Sequence, residues 1–427
     1  MFPDVLYYNV FVKNYPRIVE RSLIFIVILL RSPTIQHMKH YLFYCCLFFA
    51  FSTNAQKLSK AFLHEQFSFA ASQYKVLKQL TPDSLLPRSY DSGKNKLVTS
   101  KSDWWCSGFY PGTLLYLYEY THDDSLKAEA LKRLQLLEKE QYNTGTHDLG
   151  FMMFCSFGNA LRLFNNEADK KILLTSAASL STRFNKTAGV IKSWDHGKWQ
   201  FPVIIDNMMN LELLTWATKN SGDSSFYNIA VTHANTTIKN HYRPDFSSYH
   251  LVNYDTLTGD VLGKQTVQGA ADSSAWARGQ SWGLYGYTMM YRETGDKTYL
   301  GQAQHIADFL LHHPNLPADK IPYWDYNAPN IPNALRDVSA AAVMASALLE
   351  LAKYADRKNK KEYLKVATDI LKVLGSKDYR AQPGENGGFI LKHSVGHLPA
   401  NSEIDVPLTY ADYYFIEALA RYKRDYL

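Results

Sequence analysis

Two acidic residues far apart in the chain stand in similar settings. Asp206 ends the apolar run Phe201-Pro202-Val203-Ile204-Ile205 and opens the amphipathic run Asn207 to Leu214. Asp148, in His147-Asp148-Leu149-Gly150-Phe151, likewise precedes a helix-like stretch. Free backbone N–H groups and the helix dipole gather anionic groups at helix N-termini. Each acid can therefore be read as an N-cap or as a functional carboxylate. The apolar residues before Asp206 favour its neutral form, which raises its pKa and suits a proton donor near neutral pH. Two acids placed alike in a chain with 30 Tyr and 8 Trp point to acid–base chemistry on a carbohydrate. Such rings stack on sugars, and they also fill cores.

Further candidates surround these acids in the sequence. Trp104, Trp105, Trp194, Trp276, Trp282 and Trp324 are aromatic candidates for a sugar cleft, the stronger ones lying beside Asp103, Arg278 and Asp325. The Arg278 guanidinium suits a planar carboxylate or a sulfate through two parallel hydrogen bonds, or else a salt bridge to a loop acid. Gly279-Gln280-Ser281-Trp282-Gly283 matches the G-x-S-x-G nucleophile elbow of serine esterases, which requires a buried strand just before it. Ala270 to Ala277 does not read as one, so these glycines are expected to allow close helix packing instead.

The elements that must position these residues read as helix after helix. Apolar spacing predicts helices over 61–80, 109–121, 124–141, 151–165, 168–185, 207–220, 224–241, 279–295, 297–313, 338–356, 360–375 and 408–423. The first member of each pair is rich in aromatic and small residues, and the second is more charged. Short polar turns such as Thr121-His122-Asp123-Asp124 join them, a weak αα-hairpin repeat. The expected fold class is all-α: an (α/α)6 toroid of about twelve helices, with an open solenoid as the alternative. In a toroid all inner helices run the same way. Their N-terminal loops, holding Asp103, His147-Asp148, Asp206, Arg278, Arg336-Asp337 and Glu403-Ile404-Asp405, would then meet at one mouth.

The chain has 427 residues, 46% hydrophobic and 20% charged, an ordinary globular composition long enough for a large core. The formal charge is +6; the first 55 residues carry five of the 46 basic and two of the 40 acidic residues, leaving +3. No basic block stands out, which argues against a nucleic-acid partner. Met38-Lys39-His40, the apolar run Tyr41 to Phe51 and Ser52-Thr53-Asn54-Ala55 read as a secretory signal peptide. Residues 1–37 are thus expected to be a spurious extension, 38–55 a signal peptide and 56–427 a single catalytic domain, exported to a bacterial periplasm. The run Leu23 to Leu30 is too short to span a bilayer, so no membrane association is expected of the mature chain. Cys45 and Cys46 fall inside the apolar core of the leader. Only Cys106 and Cys155 remain after cleavage; they could pair if adjacent. Scattered histidines and the lack of CxxC or HExxH predict no metal, and no cofactor is expected.

Five strings carry a family resemblance: Asp103 to Gly112 (DWWCSGFYPG), His147 to Phe151, Ile205 to Asn210, Ser274 to Trp282 (SAWARGQSW) and Pro322 to Tyr326. In this order they resemble unsaturated glucuronyl hydrolases, glycoside hydrolase family 88, from about residue 60 to the end. The related unsaturated rhamnogalacturonyl hydrolases match less well. The resemblance implies an (α/α)6 barrel acting on oligosaccharides left by polysaccharide lyases, which bear a C4=C5 unsaturated uronic acid. It implies hydration of that double bond, with Asp206 as proton donor and Asp148 as its partner. His147, Trp194, His250, Gln268, Arg278 and Trp282 would bind the unsaturated sugar, with Trp104 or Trp105, Phe109 and Trp324 around them. Some members bind sulfate through a Ser/Lys loop near the C-terminus. Here His393 to Pro399 keeps Ser394 but offers no lysine, which counts against sulfate recognition by that loop. A non-catalytic sugar-binding toroid is the reading from another class.

Overall fold

The polar turns dictate where the outer helices begin. In the computed structural model, which describes residues 57–427, Asp123, Asn166, Asp223, Asp296 and Asp356 each accept a hydrogen bond from a backbone N–H two residues on. Each satisfies a donor that the first helical turn would otherwise leave orphaned. The expected extension and leader, with Cys45 and Cys46, lie outside the described residues.

In chain order the helices are α1 (Lys60–Leu80), α2 (Phe109–Thr121), α3 (Asp124–Leu137), α4 (Asn159–Phe164), α5 (Glu167–Ser181), α6 (Leu211–Ser221), α7 (Ser224–His241), α8 (Ala277–Thr294), α9 (Lys297–His312), α10 (Val338–Leu351), α11 (Arg357–Leu374) and α12 (Thr409–Tyr426). Even-numbered helices form the inner layer, and every residue of α10 is buried. They touch in sequence around a ring, and α12 packs on α2, so the ring is closed. The fold is therefore a toroid and not an open solenoid. Two inner elements begin irregularly: a π-helical segment, Gly150–Gly158, leads into α4, and a 3-10 segment, Ile205–Asn210, leads into α6. Such departures from α geometry gather at functional sites. They take the place of the first turns of the regular helices that apolar spacing predicts at 151–165 and 207–220, whose remainders are α4 and α6.

The return loops hold strands that the sequence reading does not anticipate: β1 (Leu86–Asp91), β2 (Lys96–Ser100), β3 (Phe184–Asn185), β4 (Val190–Ile191), β5 (Pro202–Ile204), β6 (Leu251–Tyr254), β7 (Val261–Gln265), β8 (Ser394–His397) and β9 (Ser402–Val406). They pair as β1–β2, β3–β4, β5–β6–β7 and β8–β9, all antiparallel. Being two to six residues long, they carry too little alternation to register as a pattern. At the C-terminal ends of the inner helices Arg292 pairs with Glu350 at 2.8 Å and Arg421 pairs with Glu350 and Glu417. These cations complement the negative ends of parallel helix dipoles. Cys106 and Cys155 are both free thiols.

Ser281 lies within α8, and its hydroxyl donates to Ala340 O at 2.9 Å, so it is no nucleophile elbow. The glycines of this stretch serve packing: a Cβ on Gly286 would lie 2.5 Å from Met208 Cβ and 3.2 Å from the Met208 carbonyl. Gly286→Ala should therefore push α8 away from the segment that carries Asp206. We expect a loss of about 1–3 kcal/mol in urea unfolding, the usual cost of overpacking; parental stability would show that the contact is not limiting.

Candidate active site

Strand pairing brings Asp206 to its place. Ile204 pairs with Leu251 across β5–β6, and Ile205 N–H donates to His250 O at 3.0 Å. The chain then tightens into the 3-10 segment with Asp206 in its first turn and His250 alongside. Asp206 does not cap that segment, which has no side-chain cap. Its Oδ2 is buried without a hydrogen-bond partner, 3.8 Å from His250 Nε2. Burial raises its pKa to about 7, against the pull of the Arg278 cation. The charge of Asp148 adds to the rise, and the Trp282 indole N–H takes a little back. A carboxyl so placed is half protonated near neutrality, the condition for a general acid.

Asp148 is tied to the same spot through the neighbouring inner element. Phe151 N–H donates to Asn210 Oδ1 at 3.0 Å, and Gly150 sits so close to Asn210 that a Cβ would lie 2.5 Å from its Cα. The starts of the two acid-bearing segments are thereby held together. Asp148 accepts from Thr146 Oγ1 at 2.8 Å and lies 3.2 Å from His147 Nε2. Like Asp206, it caps no helix: the π-helical segment that follows has no side-chain cap. Asn207, the residue after Asp206, faces the His147 ring and donates to Ile191 O at 2.7 Å. Burial keeps His147 neutral, its pKa lowered despite Asp148.

His250 has a defined tautomer. Its Nδ1 accepts from Val267 N–H at 3.0 Å and from Gln268 N–H at 3.4 Å, so the ring proton sits on Nε2, facing Asp206. Burial pushes its pKa down to about 3, helped by His397, Arg278 and His147. His250 is therefore a neutral hydrogen-bond donor throughout the neutral range. Gln268 Nε2 donates to Gly396 O at 3.1 Å, and His397 Nε2 meets Val267 O at 2.9 Å, so the β8 turn and the 267–268 segment form one wall.

Arg278 departs from the open carboxylate fork considered above. It is buried and donates to Asp337 Oδ2 at 2.9 Å, Val395 O at 2.6 Å and Gly396 O at 2.6 Å. The salt bridge to a loop acid is the reading that holds. Arg278 thus braces the β8 turn and lends its charge to Asp206. Asp337 also accepts from Ser339 N–H at 3.0 Å, a true N-cap of α10.

The aromatic candidates divide. Trp282 is fully buried, with its indole N–H turned toward Asp206. Phe109 is fully buried among Phe151, Tyr410, Tyr413 and Tyr414, because it opens an inner helix. Trp324 is also a core residue, and its backbone braces the start of α8 through Ala277 N–H at 3.1 Å. Trp105 wedges between Phe151 and Tyr410, whereas Trp104 is exposed. Trp194, half-buried, lies against His196 and Trp199 in the loop before β5. Ser394 is fully buried in β8 and does not present its hydroxyl to a ligand. Asp337 and Glu403 stand among the expected mouth loops, and Gly396 and His397 lie in the stretch compared with the sulfate loop; only long-range pairing shows that these two meet Arg278, Gln268 and Val267.

No family model matches the chain. It is 49% identical over 338 residues to an unsaturated glucuronyl hydrolase of Formosa agariphila, covering 78% of this chain and 84% of that protein. An unsaturated glucuronyl hydrolase of Bacillus sp. strain GL1 is 32% identical over 343 residues, covering 78% and 89%. Among solved structures, an unsaturated glucuronyl hydrolase specific for heparin matches with a TM-score of 0.83 at 50% identity, covering 86% of this chain and 98% of its own.

Burying Asp206 has a cost that pH exposes. Its folded pKa is raised, so the folded state holds the proton more tightly than the unfolded chain. Its contribution to stability falls as pH rises from the ordinary carboxyl value near 3.8 to about 7, and stays level above. Asp206→Asn removes that penalty. We expect this variant to resist urea better than the parent at pH 8, with the gap closing toward pH 4; equal resistance at both would mean that the carboxyl is not strained by burial.

Proposed function

The chain belongs to the unsaturated glucuronyl hydrolases, glycoside hydrolase family 88, and from that premise we propose how its site works. It is a glycoside hydrolase that removes the C4=C5 unsaturated uronic acid from the non-reducing end of glycosaminoglycan oligosaccharides. The observation that carries the mechanism is the buried Asp206 carboxyl, with a pKa near 7, facing a neutral His250.

Asp206 delivers its proton to C4 of the vinyl ether, leaving an oxocarbenium ion at C5. Water adds at C5 and returns a proton to Asp206, which restores the acid. The resulting hemiketal opens to a ketone at C5, and the hemiacetal left at C1 collapses to release the neighbouring sugar. The site suits both states of Asp206. Burial and Asp148 favour the acid before transfer, and the Arg278 charge and the His250 Nε2–H favour the carboxylate after it. In this reading Asp148 and His147, 3.2 Å apart, hold sugar hydroxyls. Because no group is displaced at the anomeric carbon, the carboxylate spacing rule for retaining and inverting enzymes does not apply. A non-catalytic sugar-binding toroid would have no use for an acid held at this pKa. The substrate's double bond must come from a polysaccharide lyase acting first, and the leader at 38–55 supports a periplasmic setting.

Asp206→Asn should abolish turnover, followed as loss of the ultraviolet absorbance of the conjugated double bond, while circular dichroism stays native. In the parent, kcat/KM should decline as pH rises through about 7, because the reaction needs the protonated acid. An Asn variant with parental rates would remove Asp206 from the mechanism.

A further inference from the structure

One arrangement on the rim of the site has hydrogen-bonding capacity that the fold does not use. Trp104, 43% exposed, is the one exposed tryptophan among the described residues. The Arg88 guanidinium lies over its ring, 4.7 Å from the centroid. Arg88 Nε donates to Glu403 Oε1 at 2.8 Å, and its Nη1 and Nη2 groups have no hydrogen bond among the described residues. Three separate segments build this rim: β1, the turn before α2, and β9. The bridge Ser89–Leu408 holds β1 against the chain that follows β9.

The rim lies close to the acids. Trp105, next to Trp104, packs 4.8 Å from Tyr410, whose ring Arg278 flanks at 5.2 Å. Glu403 is near enough to act electrostatically on Arg278 and Cys106, as Asp148 acts on Cys106. A sugar joined to a ring held at Asp206 lies within reach of this rim, because Arg278 and Cys106 feel both Glu403 and one of the two acids. The facing hairpin offers Glu403 and Asp405 and, from Ser394 to Val406, no lysine or arginine. The hairpin itself brings no lysine or arginine to the rim; Arg88 does, paired with Glu403 through Nε only.

We propose that Arg88 and Trp104 form a subsite for the leaving sugar, in which Trp104 stacks on the pyranose and Arg88 binds a sulfate carried by it. A guanidinium held over an indole and pinned through Nε loses little freedom when its remaining N–H groups grip two sulfate oxygens. The indole's open face suits the apolar face of a sugar ring. The subsite rests on the uronic-acid reading given above, and it makes sulfate a feature that the enzyme selects.

The test compares two lyase-generated disaccharides, unsaturated glucuronyl–N-acetylgalactosamine with and without a 6-sulfate. In Arg88→Met, kcat/KM for the sulfated sugar should fall about tenfold through a raised KM, and that for the unsulfated sugar by no more than about threefold. Trp104→Ala should weaken both. Arg88→Lys, which keeps the charge and loses the flat fork, should give a smaller loss of the sulfated-to-unsulfated ratio. It carries the test if circular dichroism shows that Arg88→Met fails to fold. A ratio equal to the parent's in the folded variant overturns the proposal, as does a parent that does not turn over the sulfated sugar. Turnover of a heparin-derived unsaturated disaccharide but of neither galactosamine sugar overturns this subsite and leaves the underlying reading; turnover of none of the three removes both.

Discussion

The withdrawal of one carboxyl from water is the constraint on which the rest of the structure depends. Asp206 has no hydrogen bond to its buried Oδ2, and His250 Nε2 stands 3.8 Å away. An acid left so poorly solvated keeps its proton to about pH 7, where an exposed one would have lost it. Such a group destabilises the fold at neutral pH, and the surrounding core must offset that cost. Stability given up at a site that gains chemical competence is a familiar exchange in enzymes.

The toroid serves this purpose by geometry. Six inner elements run in one direction, so side chains distant in the chain meet at one end. Close approach between those elements is needed, which is why Gly150 faces Asn210 and Gly286 faces Met208 without room for a Cβ. Arg278 then joins the end of the ring to its wall. A single guanidinium binds Asp337 at the start of α10 and two carbonyls of the β8 turn. It thus fixes the wall that carries Gln268 and His397, and its charge limits how far the Asp206 pKa can rise.

Much of this was legible in the sequence. The helical hairpins followed from apolar spacing and from the Asp and Asn residues of the tight turns, which do cap the outer helices. The setting of Asp206, apolar before and amphipathic after, gave the sign of its pKa shift. What could not be read was pairing across long separations. The β5–β6 pairing that sets His250 beside Asp206 joins strands of three and four residues, too short for a period. The His250 tautomer depends on two backbone donors at 267 and 268. The commitment of Arg278 to Asp337 and the β8 turn spans 59 to 118 positions, and from composition alone both of its readings were open. Phe109 and Trp324 look like cleft aromatics in a string and prove to be core, since nothing local tells the two faces of an inner helix mouth apart.

The most direct test is a carbon-13 NMR titration of the Asp206 carboxyl in the unliganded enzyme, assigned by its loss in an Asp206→Asn sample. A midpoint near pH 7, moving downward when Asp148 is replaced by Asn, is what the account requires. A midpoint in the ordinary carboxylate range near 3.8 would mean that water reaches the group and that another residue must supply the proton.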